Sequence, residues 1–414
     1  MRARWRRGLR PLVADHALRL RLATEASVRD FRTWRDYAIE VASRMRAMHE
    51  AAPLPTPPAP AVAASRLAEF VNLPPRPVLS VCISTYQRAD WLALALRNLV
   101  RVWPQPRAEV EIVICDNSSP DHTPEVVEPY LSRADVRYIR NRRNVGMLGN
   151  MRVTAQEARG EYVWILGDDD LLVPGAIETV LSALRTGQAA SLLYLNYAYT
   201  LAADPLAITD LDQFIHAGIA VAEPGPDQAG TVREIGANSE NFFTGIYCLV
   251  FRRDHALRAY SQNIEGPPFS SLATCVPMAQ YVLTAMIDEP ALWIGTPQLV
   301  ANMNVSWSRY ASPYVLEQLP KVRDLAERMG VDRRAVDVWR RRSFPMAFRY
   351  FSLLFDTGYA GNVDYLSVPR VLSRLRGHDG IAPFVEPMKA AYRAAHAAGH
   401  PAARASVEDV FAGF

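Results

Sequence analysis

Cysteine is scarce in this chain. Its four residues, Cys82, Cys115, Cys248 and Cys275, are widely spaced and form no CxxC pair, so buried, reduced thiols in a cytosolic protein are expected rather than a disulfide framework. No apolar run approaches the roughly eighteen residues that a membrane-spanning helix needs. The N-terminus is charged but lacks the apolar stretch and small-residue cleavage site of a secretory signal. Neither sign of charge dominates: 46 basic residues face 43 acidic ones, a net charge of +3. That balance argues against a dedicated nucleic-acid binder, whose basic footprint usually dominates its domain. There is no internal repeat. A protein of the cytoplasm, soluble or held at the inner face of the membrane, is expected.

What is present is enough for a sizeable core, since half of the 414 residues are hydrophobic and 21% are charged. One large domain with additions fits that length. Residues 1–52 alternate arginine with apolar residues and read as a basic helical extension. Arg2, Arg4, Arg6, Arg7 and Arg10, with Trp5 and Leu9 among them, suit either an anionic membrane surface or a solvated helix packed on the main domain. Residues 53–76 are a Pro/Ala-rich linker that cannot be helical. Residues 77–313 then form the main domain, and residues 314–414 read as a helical region. In that region Phe344, Phe348, Tyr350, Phe351, Leu354 and Phe355 are apolar around more than one face. Arg340, Arg341 and Arg342 there form a basic run, expected as a solvated face, with a membrane or an acceptor diphosphate as the functional alternative.

Within the main domain short apolar runs alternate with helical segments. Strands are expected at Val78 to Ser84, Val110 to Cys115, Val136 to Ile139 and Tyr162 to Leu166, and a further strand-like run at Ser191 to Tyr199. Helices are expected after Asp90 as cap, after Thr123-Pro124, near Asn150 to Ala158 and from Pro174. This alternation predicts an α/β fold built on a mostly parallel sheet with flanking helices. Such sheets bind ligands beyond the carboxyl ends of their strands.

Polar and acidic residues stand at those ends. Ser84-Thr85-Tyr86-Gln87-Arg88 follows the first strand, Asp116-Asn117-Ser118-Ser119-Pro120-Asp121 the second, and Gly167-Asp168-Asp169-Asp170 the fourth. An aspartate at a buried strand end can accept a hydrogen bond from a base edge or a ribose hydroxyl. Three consecutive aspartates on a tight turn repel one another unless a cation neutralises them. Hard oxygen ligands select Mg²⁺ or Mn²⁺, ions that keep several waters and bridge to substrate phosphates. Each segment alone also suits a turn or a helix N-terminus; together, at one edge of one sheet, they point to a site.

These segments resemble, in order and spacing, those of family 2 glycosyltransferases of the GT-A (Rossmann-like) fold. Leu79 to Arg88 looks like that family's opening strand, and Val113 to Thr123 like its second strand and nucleotide-binding turn. Asn144-Val145-Gly146 with Asn150 resembles the segment preceding its fourth strand. Gly160 to Asp170, followed by Pro174, resembles the strand ending in the metal-binding DxD motif. The resemblance implies a glycosyltransferase that takes a nucleoside-diphosphate sugar as donor and inverts the anomeric carbon. It places Thr85, Tyr86, Arg88, Asp116, Asn117, Asn144, Gly146 and Asn150 around the donor nucleotide, and Mn²⁺ or Mg²⁺ on the aspartate turn. Many family members begin the acidic motif one residue earlier, where this chain has Gly167. Either Asp168 and Asp170 form the DxD, or Asp169 holds the metal. The Leu-Gly-Asp-Asp-Asp form is similar to bacterial members that add deoxyhexoses such as abequose to surface polysaccharides, which implies a glycan or lipid-linked glycan as acceptor.

For the acceptor side, Phe242 to Gly245 followed by Leu249 to Arg253 resembles the strand closing the family's acceptor site, which singles out Thr244, Gly245 and Arg252. Trp307, with Asn302 and Asn304, is a candidate sugar-binding wall. The family's acidic pair has no counterpart in Thr274 to Tyr281, which contains no carboxylate. Glu265 is the nearest candidate general base, followed by His255, Asp288 and Glu289. Two rival functions follow. A non-catalytic nucleotide-sugar-binding protein accounts for the missing pair. A nucleotidyltransferase shares the sheet but usually needs a glycine- and arginine-rich phosphate loop after the first strand, and none is present.

Overall fold

The computed structural model describes residues 76–186, 190–303, 307–356, 365–378 and 380–414. The basic extension expected at 1–52, and all of the linker but Arg76, lie outside these residues, and so does Asn304.

The sheet begins with β1 (Leu79–Thr85), β2 (Val110–Asp116), β3 (Val136–Arg140) and β4 (Tyr162–Gly167). They pair in parallel in the order β3-β2-β1-β4. β1 and β2 are almost wholly buried, as strands covered on both faces are, and are apolar apart from Ser80, Ser84, Thr85, Glu111 and Asp116. The four cysteines are free and buried, three of them in or beside strands.

Helices cover both faces. In α1 (Ala89–Val102), Leu92, Leu96 and Leu99 recur at helical spacing and are buried. Its N-terminus is not capped by Asp90, which lies inside the first turn and faces His122 at 3.3 Å. The Ala89 N–H donates instead to the carboxylate of Asp121, from the loop after β2, at 3.0 Å. Then come α2 (Thr123–Val127), α3 (Met147–Glu157) and α4 (Ala176–Thr186).

The strand expected at 191–199 is two strands. β6 (Leu192–Leu195) belongs to the main sheet, while β7 (Ala198–Thr200) joins a second sheet with β5 (Leu171–Leu172), β8 (Ile219–Ala220) and β12 (Leu299–Asn302). Buried Asn196 separates them, donating to the carbonyls of Ala222 and Gly295. The main sheet continues through β10 (Leu249–Arg252), β6, β11 (Pro290–Ile294) and β9 (Gln228–Thr231). β10 runs antiparallel to β4, with Val250 opposite Trp164 and Arg252 opposite Tyr162. The start of β10 therefore stands at the carboxyl edge of β4 and its end at the opposite edge.

After β10 come α5 (Arg253–Tyr260) and α6 (Pro277–Ala285). Residues 311–328 form one helical run across the expected boundary at Pro313. Its middle, Tyr314–Gln318, is wound as a π-helical turn. Pro320 has no N–H to return to Leu316, which is one reason the regular ladder breaks here. α7 (Leu319–Arg328) completes the run, followed by α8 (Arg333–Arg342), α9 (Phe344–Leu353), α10 (Val368–Leu375) and α11 (Ala382–Ala397). The main core extends as far as Val336, and a second core gathers Leu316 with residues from Phe344 to Phe411. No described helix is long and apolar enough to cross a membrane.

Candidate functional site

The parallel register brings three strand ends level: Thr85 lies opposite Asp116, and Ser84 opposite Gly167. The loops beyond them are tightly held. Gln87 and Ser118 adopt left-handed backbone conformations (φ 54° and 64°) that non-glycine residues seldom occupy, a strain that clusters at functional sites. A hydrogen bond from the Gln87 N–H to Ser119 Oγ (2.9 Å) ties the two loops together.

Asp168, Asp169 and Asp170 are all buried, at 4%, 8% and 6% exposure. Thr85 Oγ1 donates to Asp168 Oδ2 at 2.8 Å, and Arg88 pairs with Asp169 at 2.6 Å and with Asp168 at 3.3 Å. The Gly167 N–H donates to Asp170 Oδ2 at 2.6 Å. One guanidinium thus faces three carboxylates. Burial, opposed by Arg88, pushes Asp168 up to about 7; burial likewise raises Asp169, and Asp170 well above the usual carboxylate range. The turn carries more negative charge than its own residues neutralise.

A divalent cation fits that surplus. Among the described residues no three acidic, histidine or cysteine side chains converge on one point. A cation here would be held by one or two of the aspartates and fill its shell with phosphate oxygens and water, the usual manner of Mg²⁺. Gly167 contributes space. A Cβ there would lie 3.0 Å from Asp170 Oδ2 and 3.1 Å from Asp169 Oδ1. The residue that departs from the family's acidic pattern is the one that lets the next carboxylates fold back.

On the other flank Asp116 is fully buried. It accepts from the Ser119 N–H (2.8 Å) and from the Tyr138 hydroxyl (2.7 Å), with Arg140 Nε at 3.4 Å. Tyr138, in the middle of β3, and Arg140, at its end, stand beside it. Sequence reasoning passed over both, although alternation along a short strand was their available signal.

The asparagines form a chain of amides. Asn150 Nδ2 donates to Ser84 Oγ (2.7 Å) and the Cys115 carbonyl (3.0 Å), and Asn150 Oδ1 accepts from Asn141 (2.9 Å). Asn117 donates to Asn144 Oδ1 (2.9 Å) and the Gly146 carbonyl (3.2 Å) and accepts from Asn141 and the Val145 N–H. Asn117 and Asn150 are buried and spend these groups on the protein itself. They pin the 141–150 loop, including left-handed Gly146 (φ 80°), to the ends of β1 and β2. Tyr86 is 40% exposed over the same edge.

On the acceptor side the structure divides the expected residues. Thr244 and Gly245 lie just before β10, at the carboxyl edge of β4, where Trp164 Nε1 donates to the Tyr247 carbonyl (2.7 Å). Thr244 Oγ1 meets the Tyr314 hydroxyl at 3.0 Å, and Trp307 packs edge-on to Tyr314 at 5.4 Å and stacks on Phe269 at 5.2 Å. Asn302 donates to the Ala202 carbonyl. Arg252 is not among them. It lies opposite Tyr162, five strand steps or about 17 Å from Gly167, and binds Asp254 and Ser191 there. His255 and Glu289 stand at that far edge with it, bonded to Tyr281 and Ser191, and Asp288 pairs with Arg233. Glu265 is exposed on the loop after α5 and accepts from Asn263.

Sequence reasoning also missed the anchor of this edge. Phe242 and Phe243 are consecutive left-handed residues (φ 44° and 67°), both fully buried. Asn241 holds them: its Oδ1 accepts from the Phe243 N–H (2.9 Å) and the Tyr194 hydroxyl (2.6 Å), and its Nδ2 donates to the Tyr197 hydroxyl (3.2 Å). The neighbouring carboxylate, Glu240, is half-buried. Burial pushes the Tyr314 hydroxyl up to about 12, and Glu240 adds to that rise.

Residues 80–212 match the family model described as glycosyl transferase family 2. The chain is 32% identical over 102 residues to abequosyltransferase RfbV of Salmonella typhimurium, which covers 24% of this chain and 30% of that protein. It is 32% identical over 115 residues to the GalNAc(5)-diNAcBac-PP-undecaprenol beta-1,3-glucosyltransferase of Campylobacter jejuni, over 27% of this chain and 36% of that protein. The match thus spans about a third of these curated relatives. Residues 1–349 of S. aureus TarS in complex with UDP-GlcNAc superpose with a TM-score of 0.46 at 15% identity, covering 80% of this chain and 91% of that one. The mannosyltransferase PcManGT of Pyrobaculum calidifontis, in complex with GDP-Man and Mn²⁺, gives 0.42 at 15%, covering 83% and 94%.

Proposed function

We propose that the protein, whose residues 80–212 match the glycosyl transferase family 2 model, transfers a sugar from a nucleoside-diphosphate donor to a hydroxyl of a glycan or lipid-linked glycan. The transfer belongs to bacterial surface polysaccharide assembly, inverts the anomeric carbon and depends on Mn²⁺ or Mg²⁺. The observation that carries this reading is the turn of three buried aspartates beside a single arginine at the carboxyl edge of β4.

A divalent ion bound at this turn would supply Lewis-acid stabilisation of the leaving diphosphate. Asp169 and Asp170 are the residues proposed to hold it, while Thr85 fixes Asp168 and Arg88 pairs with both Asp168 and Asp169 to keep the turn in place. Asp116, braced by Ser119 and Tyr138, faces the nucleoside, and the asparagine chain holds the loop that borders it. The acceptor enters between this edge and the 241–247 segment. Glu240 is the proposed proton acceptor, because it is partly buried and directly precedes that segment, while Asp288 and Glu289 lie elsewhere. General-base catalysis is worth about 10²–10⁴-fold, so Glu240→Gln is expected to lower kcat at least a hundredfold with donor binding intact. Equal loss in Glu265→Gln, with Glu240→Gln unaffected, moves the base to Glu265.

The deciding measurement is a panel of nucleotide sugars with and without Mn²⁺ or Mg²⁺, read by thermal shift and release of nucleoside diphosphate. Metal-dependent stabilisation by one donor, lost in Asp169→Asn or Asp170→Asn, is the expected result. Donor binding without turnover on any acceptor favours a non-catalytic nucleotide-sugar-binding protein, and pyrophosphate release from a nucleoside triphosphate a nucleotidyltransferase.

A further inference from the structure

α8 and α9 form a nearly continuous helix. The Ser343 N–H donates to the Trp339 carbonyl at 3.2 Å, and the Ala347 N–H to the Ser343 carbonyl at 2.9 Å, so the ladder passes through the residue between them. Along one side Val338, Arg341, Arg342, Pro345, Met346 and Arg349 recur three and four residues apart, the spacing of a single helical face. All six are exposed, Val338 at 38% and Met346 at 39%.

The arginines on this face differ from several of their neighbours. Arg340 pairs with Asp324, Glu327 and Asp337, Arg333 with Glu327 and Asp337, Arg370 with Glu317, and Arg374 with Asp324. Arg341, Arg342 and Arg349 have no carboxylate partner among the described residues; Arg342 lies over the Trp339 ring at 4.7 Å. On α11, which packs against α9, Glu386 is already engaged by Lys389. The face is thus a stripe of uncompensated guanidinium groups with exposed apolar side chains between them.

We propose that this face docks the protein on an anionic lipid surface, the arginines meeting phosphate headgroups and Val338, Pro345 and Met346 entering the boundary beneath them. Basic residues interleaved with apolar ones on a helix lying in the interface plane satisfy both layers of such a surface. A solvated face needs only the arginines and has no use for the exposed apolar members between them. The docked face is coupled to the acceptor edge, because Trp339 Nε1 donates to the Ala237 carbonyl (3.0 Å), four residues before Asn241, and Arg323 donates to Ser343 Oγ (2.8 Å). The docking stands independently of the transferase reading.

The test is co-sedimentation of the full chain with vesicles of phosphatidylcholine alone or of an equimolar mixture with phosphatidylglycerol. Binding to the anionic vesicles only, weakening with added salt, is expected. Each arginine near an anionic membrane surface contributes about fivefold in affinity, so R341Q/R342Q/R349Q is expected to bind about a hundredfold more weakly. V338S/M346S, with its charges intact, is expected to bind a few-fold more weakly. Thermal shift with donor and metal on the same variants separates this result from the function proposed above and reports that they are folded. Unchanged vesicle binding in the arginine variant overturns the proposal, as does equal binding to neutral vesicles. Loss of binding on V338S/M346S alone, with the arginine variant unaffected, overturns it as well.

Discussion

Buried carboxylates destabilise a fold unless something neutralises them, and at Asp168, Asp169 and Asp170 a single arginine does only part of that. In an unfolded chain these groups ionise near 3.9. In the fold burial holds Asp168 at about 7 and raises its two neighbours as well. Between roughly pH 4 and pH 7 the folded state therefore binds more protons than the unfolded one, and these residues cost stability as pH rises through that window. With metal chelated, Asp170→Asn is expected to melt above the parent at neutral pH, a gain that shrinks towards about pH 4. In the same variant, divalent ions should no longer raise the melting temperature. A lower melting temperature for the chelated variant at neutral pH would show that Asp170 is not an uncompensated charge. Gly167→Ala tests the space instead. Its Cβ presses on Asp169 Oδ1 and Asp170 Oδ2, so donor affinity with Mn²⁺ is expected to fall about tenfold or more, read by calorimetric titration, with the fold preserved. Asn150→Asp places a second acceptor against the Cys115 carbonyl. A loss of about 1–3 kcal/mol in urea unfolding is expected, whatever the donor does.

At the scale of the element, the loops matter more than the strands they join. α1 takes its cap from Asp121, thirty-two residues downstream, so the cap also fixes the loop after β2 against the loop after β1. Burial alone would raise Asp121, but hydrogen bonds from Thr123 and from the Ala89 N–H outweigh it and leave its carboxylate lowered. A lowered carboxylate contributes stability above its unfolded value and loses it on acidification. Asp121→Ala is therefore expected to cost about 0.5–2 kcal/mol at neutral pH and progressively less below about pH 4, measured by chemical denaturation across that range. The segment before β10 is an element of another kind, held in a strained backbone by buried rings. Asn241→Ala removes the acceptor of the Phe243 N–H and of the Tyr194 hydroxyl together, and loss of acceptor turnover with retained donor binding is expected in steady-state kinetics.

Across residues 76–414, the fold separates the proposed donor and acceptor sides along one sheet. The parallel half, β3-β2-β1-β4, presents the aspartates, and the half beginning at β10 presents Thr244, Gly245 and the aromatic group around Tyr314. The helical run from 311 to 328 belongs to both cores, since Val322 and Leu325 pack with the sheet and Leu316 with the C-terminal helices. Donor and acceptor sides are therefore expected to unfold together. Donor with Mn²⁺ at about a hundredfold its Kd should stabilise the chain by about 2.7 kcal/mol, moving near-ultraviolet and far-ultraviolet transitions by the same amount. A far-ultraviolet transition that stays behind would mark the C-terminal helices as an independent unit.

Much of this is legible in the sequence. Runs such as Leu79 to Thr85 and Val110 to Asp116 are apolar enough to be read as buried parallel strands, and the polar residues that follow or end the strands, Arg88, Asp116 and Asp168, marked the edge that the register brings level. Those signals are local, carried by neighbours along the chain, and they survive reading one residue at a time. Tertiary structure decided the rest. It spent the amides of Asn150 and Asn117 inside the protein, set Arg252 at the far edge of the sheet, split 191–199 between two sheets and replaced Asp90 by Asp121 as a cap. Each outcome depends on which residues distant in sequence share an edge. That is fixed by strand register and direction, because one antiparallel strand suffices to send its two ends to opposite sides of the molecule.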